Sequence, residues 1–106
     1  MPTHKVLCDL DVGGEVKGTS LDINGAGDIS GNLNLGGDVT IINSIIHAGD
    51  ANTYFGFHDN DQWRVVTGGT ERFEVTDSTT TVQNALTVTG NLTANGNIIG
   101  DDSTSI

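Results

Sequence analysis

Helix signals, positive charge and aromatic side chains are all scarce in this sequence of 106 residues. Glycine interrupts every run in which apolar residues recur at a spacing of three and four, so no amphipathic helix is predicted. The apolar runs fall far short of the roughly 20 residues that a membrane span needs, and we expect no membrane insertion. A lone cysteine, Cys8, excludes an internal disulfide and leaves the redox compartment open.

The charge balance excludes one class of partner. Four Lys and Arg residues against fourteen Asp and Glu residues give a formal net charge of −10. Such a surface repels the phosphate backbone, so nucleic-acid binding is not expected. The acidic residues are spread along the chain, which is typical of a solvated surface.

Apolar residues make up only 35 % of the chain, and all five aromatic residues lie between Tyr54 and Phe73. Elsewhere Leu, Ile and Val occur singly between Gly, Asn, Asp and Thr. Fixing the backbone of a residue costs about 1–2 kcal/mol of conformational entropy, which one-sided aliphatic strands in isolation do not offset. We therefore expect identical neighbouring chains to supply the missing apolar surface.

Period-two alternation and an internal repeat are present throughout the chain. Residues 31–39 and 90–98 both fit Gly-Asn-Leu-x-x-x-Gly-(Asp/Asn)-(Val/Ile), and a second pattern, Leu-x-(aliphatic)-x-Gly, occurs at residues 21–25, 33–37 and 86–90. Repeats of this kind indicate one short supersecondary unit that is stacked, because a single unit cannot bury its apolar face alone. The sequence predicts an elongated, repeat-containing all-β protein.

Four segments are predicted. Residues 1–18 form a strand, with Val6, Cys8, Leu10 and Val12 on one face, and a hairpin turn at Gly13-Gly14. This segment is either a docking edge for a partner's sheet or the first strand of the oligomer core. Residues 19–50 form a β repeat region, 51–82 an aromatic β-meander, and 83–106 a second repeat region with a polar tail. A boundary loop is expected over residues 47–53.

The meander is predicted to contain strands at residues 54–57, 63–67 and 71–76, with turns at residues 58–61, 68–70 and 77–78. A two-residue loop in the middle hairpin would place Val65 opposite Arg72. A three-residue loop, 68–70, places Val65 opposite Phe73, Trp63 opposite Val75 and Arg64 opposite Glu74. We predict the second register because it pairs apolar with apolar residues and opposite charges with each other.

Candidate chemistry is sparse. No nucleophile has a readable base and orienting group, so no catalytic residue and no cofactor is predicted. His58 to Asp61 holds possible metal ligands, but such residues are favoured in turns for their own hydrogen bonds, and no metal site is predicted. Trp63 beside Arg64, with Tyr54 and His58, is a candidate ligand-binding set that could stack on a sugar ring. The core of a small β module is the preferred interpretation of these aromatic residues.

Residues 21–33, which run from Leu21 to Leu33 as LDINGAGDISGNL, resemble repeats in tail-fibre and other structural proteins of tailed bacteriophages, notably marine cyanophages. Residues 62–73, QWRVVTGGTERF, and the end GDDSTSI are similar to the same class. The resemblance implies a homotrimeric, β-rich and catalytically inert protein. It therefore predicts an intertwined homotrimer in which the meander forms a small knob.

The first functional hypothesis is a non-enzymatic structural protein of the virion, in a tail fibre or a fibre-like homotrimer in contact with other tail or capsid proteins. The second is a module that binds host-surface glycan through the knob. A capsid decoration protein is the third. In all three the chain is located in the virion.

Overall fold

The computed structural model describes residues 9–100, and the chain divides between Gly37 and Asp38 into two units. Within the described residues all regular secondary structure is β-strand. Residues 9–100 accordingly contain no helix long and apolar enough to cross a membrane. The prediction of an all-β protein without helices is confirmed for this part of the chain.

The first unit, described over residues 9–37, contains no strand in that range. Its larger aliphatic side chains are exposed, among them Leu10, Leu21 and Leu33. Residues 9–12 are the described part of the predicted first strand, and they are not in a strand. Gly13 and Gly14 form a bend outside the positive-φ region, so the predicted hairpin is also not formed. A strand requires a paired neighbour, and residues 9–37 offer none to one another.

The second unit contains one five-stranded antiparallel sheet in the order β1-β2-β3-β4-β5. Each strand follows its predecessor through a hairpin, which is the meander predicted from the sequence. The strands are β1 (Ser44–His47), β2 (Asp50–Asp59), β3 (Gln62–Thr67), β4 (Thr70–Val75) and β5 (Thr80–Val82).

The sheet begins earlier than predicted, because residues 47–53 are not a boundary loop. His47 pairs with Asp50 across a two-residue turn, and Gly49 in that turn adopts a φ of 80°. Glycine occupies this left-handed conformation without steric cost, so the turn can be tight. Ile45 and Ile46, at the end of the first repeat region, thus belong to the sheet. The register shifts at the start of β2, between Asp50 and Tyr54.

The β3–β4 hairpin has the predicted register and an unpredicted turn. Val65 pairs with Phe73, which confirms the prediction, but Thr67 pairs with Thr70, so the loop is two residues long rather than three. Gly68 and Gly69 have φ values of 57° and 74°, as a type I′ turn requires. A β-bulge at Arg72 then supplies the extra residue that restores the register toward Trp63.

The sheet has one apolar face and one mainly polar face. Directly paired residues share a face, so the apolar face carries Phe55, Val65 and Phe73 in one row, with Ile45 and Val82 at its edges. Phe55, Ile45 and Val82 are exposed, because no second layer from the described residues of this unit covers the face. Among the described residues, Val66 is the single fully buried apolar side chain.

The chain leaves the sheet after β5. The last backbone bond to the sheet runs from the Gln83 amide to the Arg72 carbonyl, at 2.8 Å. Residues 83–100 contain no strand, and Leu86, Leu92 and Ile99 are exposed. The predicted strands of both repeat regions are therefore not formed within the described single chain upstream of Ser44 or downstream of Val82.

Candidate functional site

Five polar side chains come together on one face of the sheet. We call them the polar cluster, and they are Tyr54, His58, Arg64, Glu71 and Glu74. Strand pairing places most of them: Arg64 lies opposite Glu74, and Val66 lies opposite both Tyr54 and Glu71. Since Arg64 and Val66 are two residues apart on β3, they share a face, and so do their partners.

The bulge at Arg72 brings the two glutamates of the polar cluster to the same face. Glu71 and Glu74 are three residues apart, and in a regular strand residues at odd spacing point to opposite faces. With Arg72 as the extra residue, Glu71 pairs with Val66 and Glu74 with Arg64, both on the polar face. Bulges commonly redirect a side chain in this way.

The contacts within the polar cluster are short and specific. His58 Nε2 lies 3.1 Å from Glu74 Oε2, and an Arg64 guanidinium nitrogen lies 3.8 Å from Glu71 Oε1. These four side chains are between 23 % and 29 % exposed, so they are partly shielded from water. Arg64 also donates to the Tyr54 hydroxyl at 3.4 Å and stacks its guanidinium 5.8 Å from the centre of the Tyr54 ring.

Gly56 allows the edge strand β1 to approach β2 closely beside the polar cluster. It is buried opposite Arg64, and a Cβ atom at this position would overlap the carbonyl oxygen of Asn43 and the Cα of Ser44. The close approach lets the Phe57 amide donate to the Asn43 carbonyl at 2.8 Å. Glycine at this position therefore allows the start of β1 to pack against β2.

The structure separates the four residues predicted as a ligand-binding set. Tyr54, His58 and Arg64 belong to the polar cluster. Trp63 belongs to the opposite, apolar face, where its ring meets Phe73 edge-on with centroids 5.8 Å apart. A single sugar ring therefore cannot stack on Trp63 and contact Arg64 at the same time.

The sequence analysis did not predict that Glu71 joins His58 and Arg64 on the same face of the sheet. The three-residue loop that it predicted places Glu71 and Glu74 on opposite faces, because no bulge was included. The signal that was available is the pair Gly68-Gly69, which is typical of a two-residue type I′ turn. Combined with the apolar pairing of Val65 and Phe73, such a turn requires one extra residue in β4.

A shallow groove of about 360 Å³ borders Trp63 near the β2–β3 turn. Its walls include Phe57 together with the polar side chains of Asp61, Gln62 and Asp77. An aromatic ring beside carboxylate and amide groups offers both a stacking surface and hydrogen-bond acceptors for a hydroxylated ligand.

Comparison with protein-family models, with curated proteins and with solved structures finds no match for this chain.

Proposed function

We propose that the chain is a non-enzymatic structural protein of a tailed-phage virion that assembles as a fibre-like homotrimer. The observation that carries the proposal is the balance of apolar side chains. Twenty large apolar side chains are exposed in the described part of the chain, against the single fully buried Val66. Burying a side chain of this size contributes about 1.5–3 kcal/mol, so a second surface of the same kind would stabilise the chain strongly.

The distribution of these side chains favours identical copies as that surface. The exposed aliphatic residues recur with the repeat, at Leu21, Ile23, Leu33 and Leu35 before the sheet, and again from Leu86 onward. Equivalent positions on neighbouring copies would pair repeat with repeat, as in stacked repeat proteins. The resemblance to the repeat sequences of phage tail fibres favours a homotrimer, with three copies of the chain.

The apolar face of the sheet supplies the second part of the proposed interface. A sheet normally buries one face against another layer. Among the described residues of its unit, no such layer covers the row through Phe55, Val65 and Phe73. In the proposed trimer this face packs on its symmetry mates, and the polar cluster faces outward.

Two neighbouring isoleucines allow a matched test. Ile45 lies on the apolar face opposite Phe55, whereas Ile46 lies on the other face opposite Tyr54, and both are exposed. Light scattering after size exclusion should give the wild type about three times the 11.0 kDa chain mass. Ile45→Lys should reduce that mass, and Ile46→Lys should retain it. A well-folded wild-type monomer at micromolar concentration contradicts the proposal.

The location in the particle needs a separate experiment. The protein, labelled within intact virions and imaged, should lie on the tail if it belongs to a fibre. Label on the capsid shell would instead support a capsid decoration protein. Such a protein would also have to bury its apolar side chains against identical copies.

The groove beside Trp63 favours a second candidate function, recognition of host-surface glycan, which requires an assembly that leaves Trp63 uncovered. The ring is flanked by Asp61, Gln62 and Asp77, which can accept hydrogen bonds from sugar hydroxyls. Trp63→Ala should abolish binding on a glycan array, whereas Tyr54→Ala, on the opposite face, should not. Equal signals from both variants and the wild type contradict this function.

A further inference from the structure

The polar cluster carries an inference that is independent of the proposed structural role. We propose that His58, Glu71 and Glu74 form a binding site for a divalent transition-metal ion such as Zn²⁺. The site combines one imidazole nitrogen with two carboxylate oxygens, which is a mixed ligand set and not merely a group of surface acids.

The three donor atoms are already close together. One ligand atom from each of His58, Glu71 and Glu74 lies within 4.8 Å of the others. Zn²⁺ binds nitrogen and carboxylate oxygen at about 2.0–2.2 Å, which puts the donors of a tetrahedral ion about 3.4 Å apart. The His58–Glu74 pair, at 3.1 Å, already has that spacing. Closer approach of the Glu71 carboxylate, from within 4.8 Å to the spacing of about 3.4 Å, would complete the set.

The backbone presents these ligands from two strands of the sheet. His58 comes from β2, near the irregular pairing between Gly56 and Asp59. Glu71 and Glu74 come from β4, on either side of the bulge at Arg72. A regular β3–β4 hairpin would separate the two glutamates, so the bulge creates the chelating pair. Sites built on strands hold their ligands more firmly than sites on loops.

The local charge also favours a cation. Glu71 and Glu74 contribute two negative charges when ionised, and Arg64 offsets one of them at 3.8 Å. The chain as a whole has a net charge of −10, which raises the local concentration of cations. The side chains of His58 and Glu74 are about three-quarters buried, so their attraction to an ion is less screened than at an open surface.

The ligand types select the class of metal. Ca²⁺ prefers six to eight oxygen ligands, which two carboxylates cannot provide. Imidazole suits Zn²⁺, Cu²⁺ and Ni²⁺, and a zinc ion with three protein ligands keeps a fourth position for water or another ligand. Zn²⁺ is therefore the appropriate probe ion.

Calorimetric titration of Zn²⁺ into the full chain tests the site. The wild type should bind one ion per chain. His58→Ala, Glu71→Gln and Glu74→Gln should each weaken the affinity by at least about tenfold, since even indirect partners of a metal ligand typically contribute that much. Circular dichroism of each variant should match the wild type, which separates lost binding from lost folding.

His47→Ala is the matched control. His47 is also a histidine of the sheet beside a carboxylate, with Nδ1 at 3.9 Å from Asp50, but only His58 belongs to the three-ligand group. Its replacement should change the affinity by less than about twofold. Cys8→Ser and His4→Ala should behave in the same way and so exclude the other soft ligands of the sequence. Wild-type affinity in His58→Ala overturns the proposal.

Arg64→Gln distinguishes a metal site from a network of ion pairs that is only structural. The guanidinium beside Glu71 competes with a bound cation. Its removal should tighten Zn²⁺ binding several-fold, because two positive charges at short range repel each other. Unchanged or weaker binding in this variant, with folding intact, contradicts the site.

Discussion

Arg64 and Glu74 lie directly opposite each other on β3 and β4, yet the ion pair of Arg64 is made with Glu71. Glu74 instead pairs with His58 at 3.1 Å. Arg64 can pair with Glu71 because the bulge at Arg72 brings Glu71 to the same face as Glu74. Cross-strand position therefore fixes the face that a side chain occupies without fixing its ion-pair partner.

Glu74→Lys should destabilise the protein mildly. The change removes the His58 contact and places a second cation opposite Arg64. Partly exposed ion pairs contribute about 0.2–1 kcal/mol, so we expect a loss of that size in the free energy of unfolding. Urea unfolding at a fixed protein concentration measures it. A loss of several kcal/mol would mean that the polar cluster has a larger structural role.

Val65→Asp should be much more damaging than Glu74→Lys. Val65 lies between Phe55 and Phe73 on the apolar face, where a carboxylate has no partner among its directly paired neighbours. Burying an uncompensated charge there should reduce the free energy of unfolding by more than about 2 kcal/mol. The same urea experiment compares the two variants, and an equal effect would argue against the assigned faces.

Gly56→Ala should detach β1 from the sheet. The new methyl group would overlap the Asn43 carbonyl, and either β1 or β2 must then move. Overpacking of this kind costs about 1–3 kcal/mol. Hydrogen exchange should show faster exchange of the Phe57 amide, which is bonded to Asn43. Gly90→Ala is the control, because a Cβ at Gly90 meets no atom within 4 Å.

Gly69→Ala should weaken the β3–β4 hairpin through its backbone alone. Gly69 has a φ of 74°, and the nearest atom to an added Cβ is 3.9 Å away, so no clash contributes. Placing an L-residue in the left-handed region costs about 1–2 kcal/mol. Gly36→Ala, at a position without positive φ and without close neighbours, should cost less. Equal melting temperatures of the two variants would contradict the type I′ turn.

Removal of residues 1–18 tests whether the N-terminal segment docks the protein onto the particle. This segment holds two of the four cations of the chain, Lys5 and Lys17, and no aromatic residue. A chain that begins at Thr19 should still assemble as three copies but be missing from virions. Normal incorporation into virions, or failure to fold, would contradict the docking interpretation, and failure to fold would favour residues 1–18 as part of the oligomer core.

The sequence by itself determined the strand-rich character, the existence of the meander and the Val65–Phe73 register. These depend on local signals: alternation along each strand, paired glycines at a turn, and the pairing of apolar with apolar residues. Only the tertiary structure decided the bulge at Arg72, the β1–β2 hairpin and the convergence of His58, Glu71 and Glu74. The physical reason is that one extra residue in a ladder changes the face of every side chain on one side of it, while the local sequence preferences hardly change.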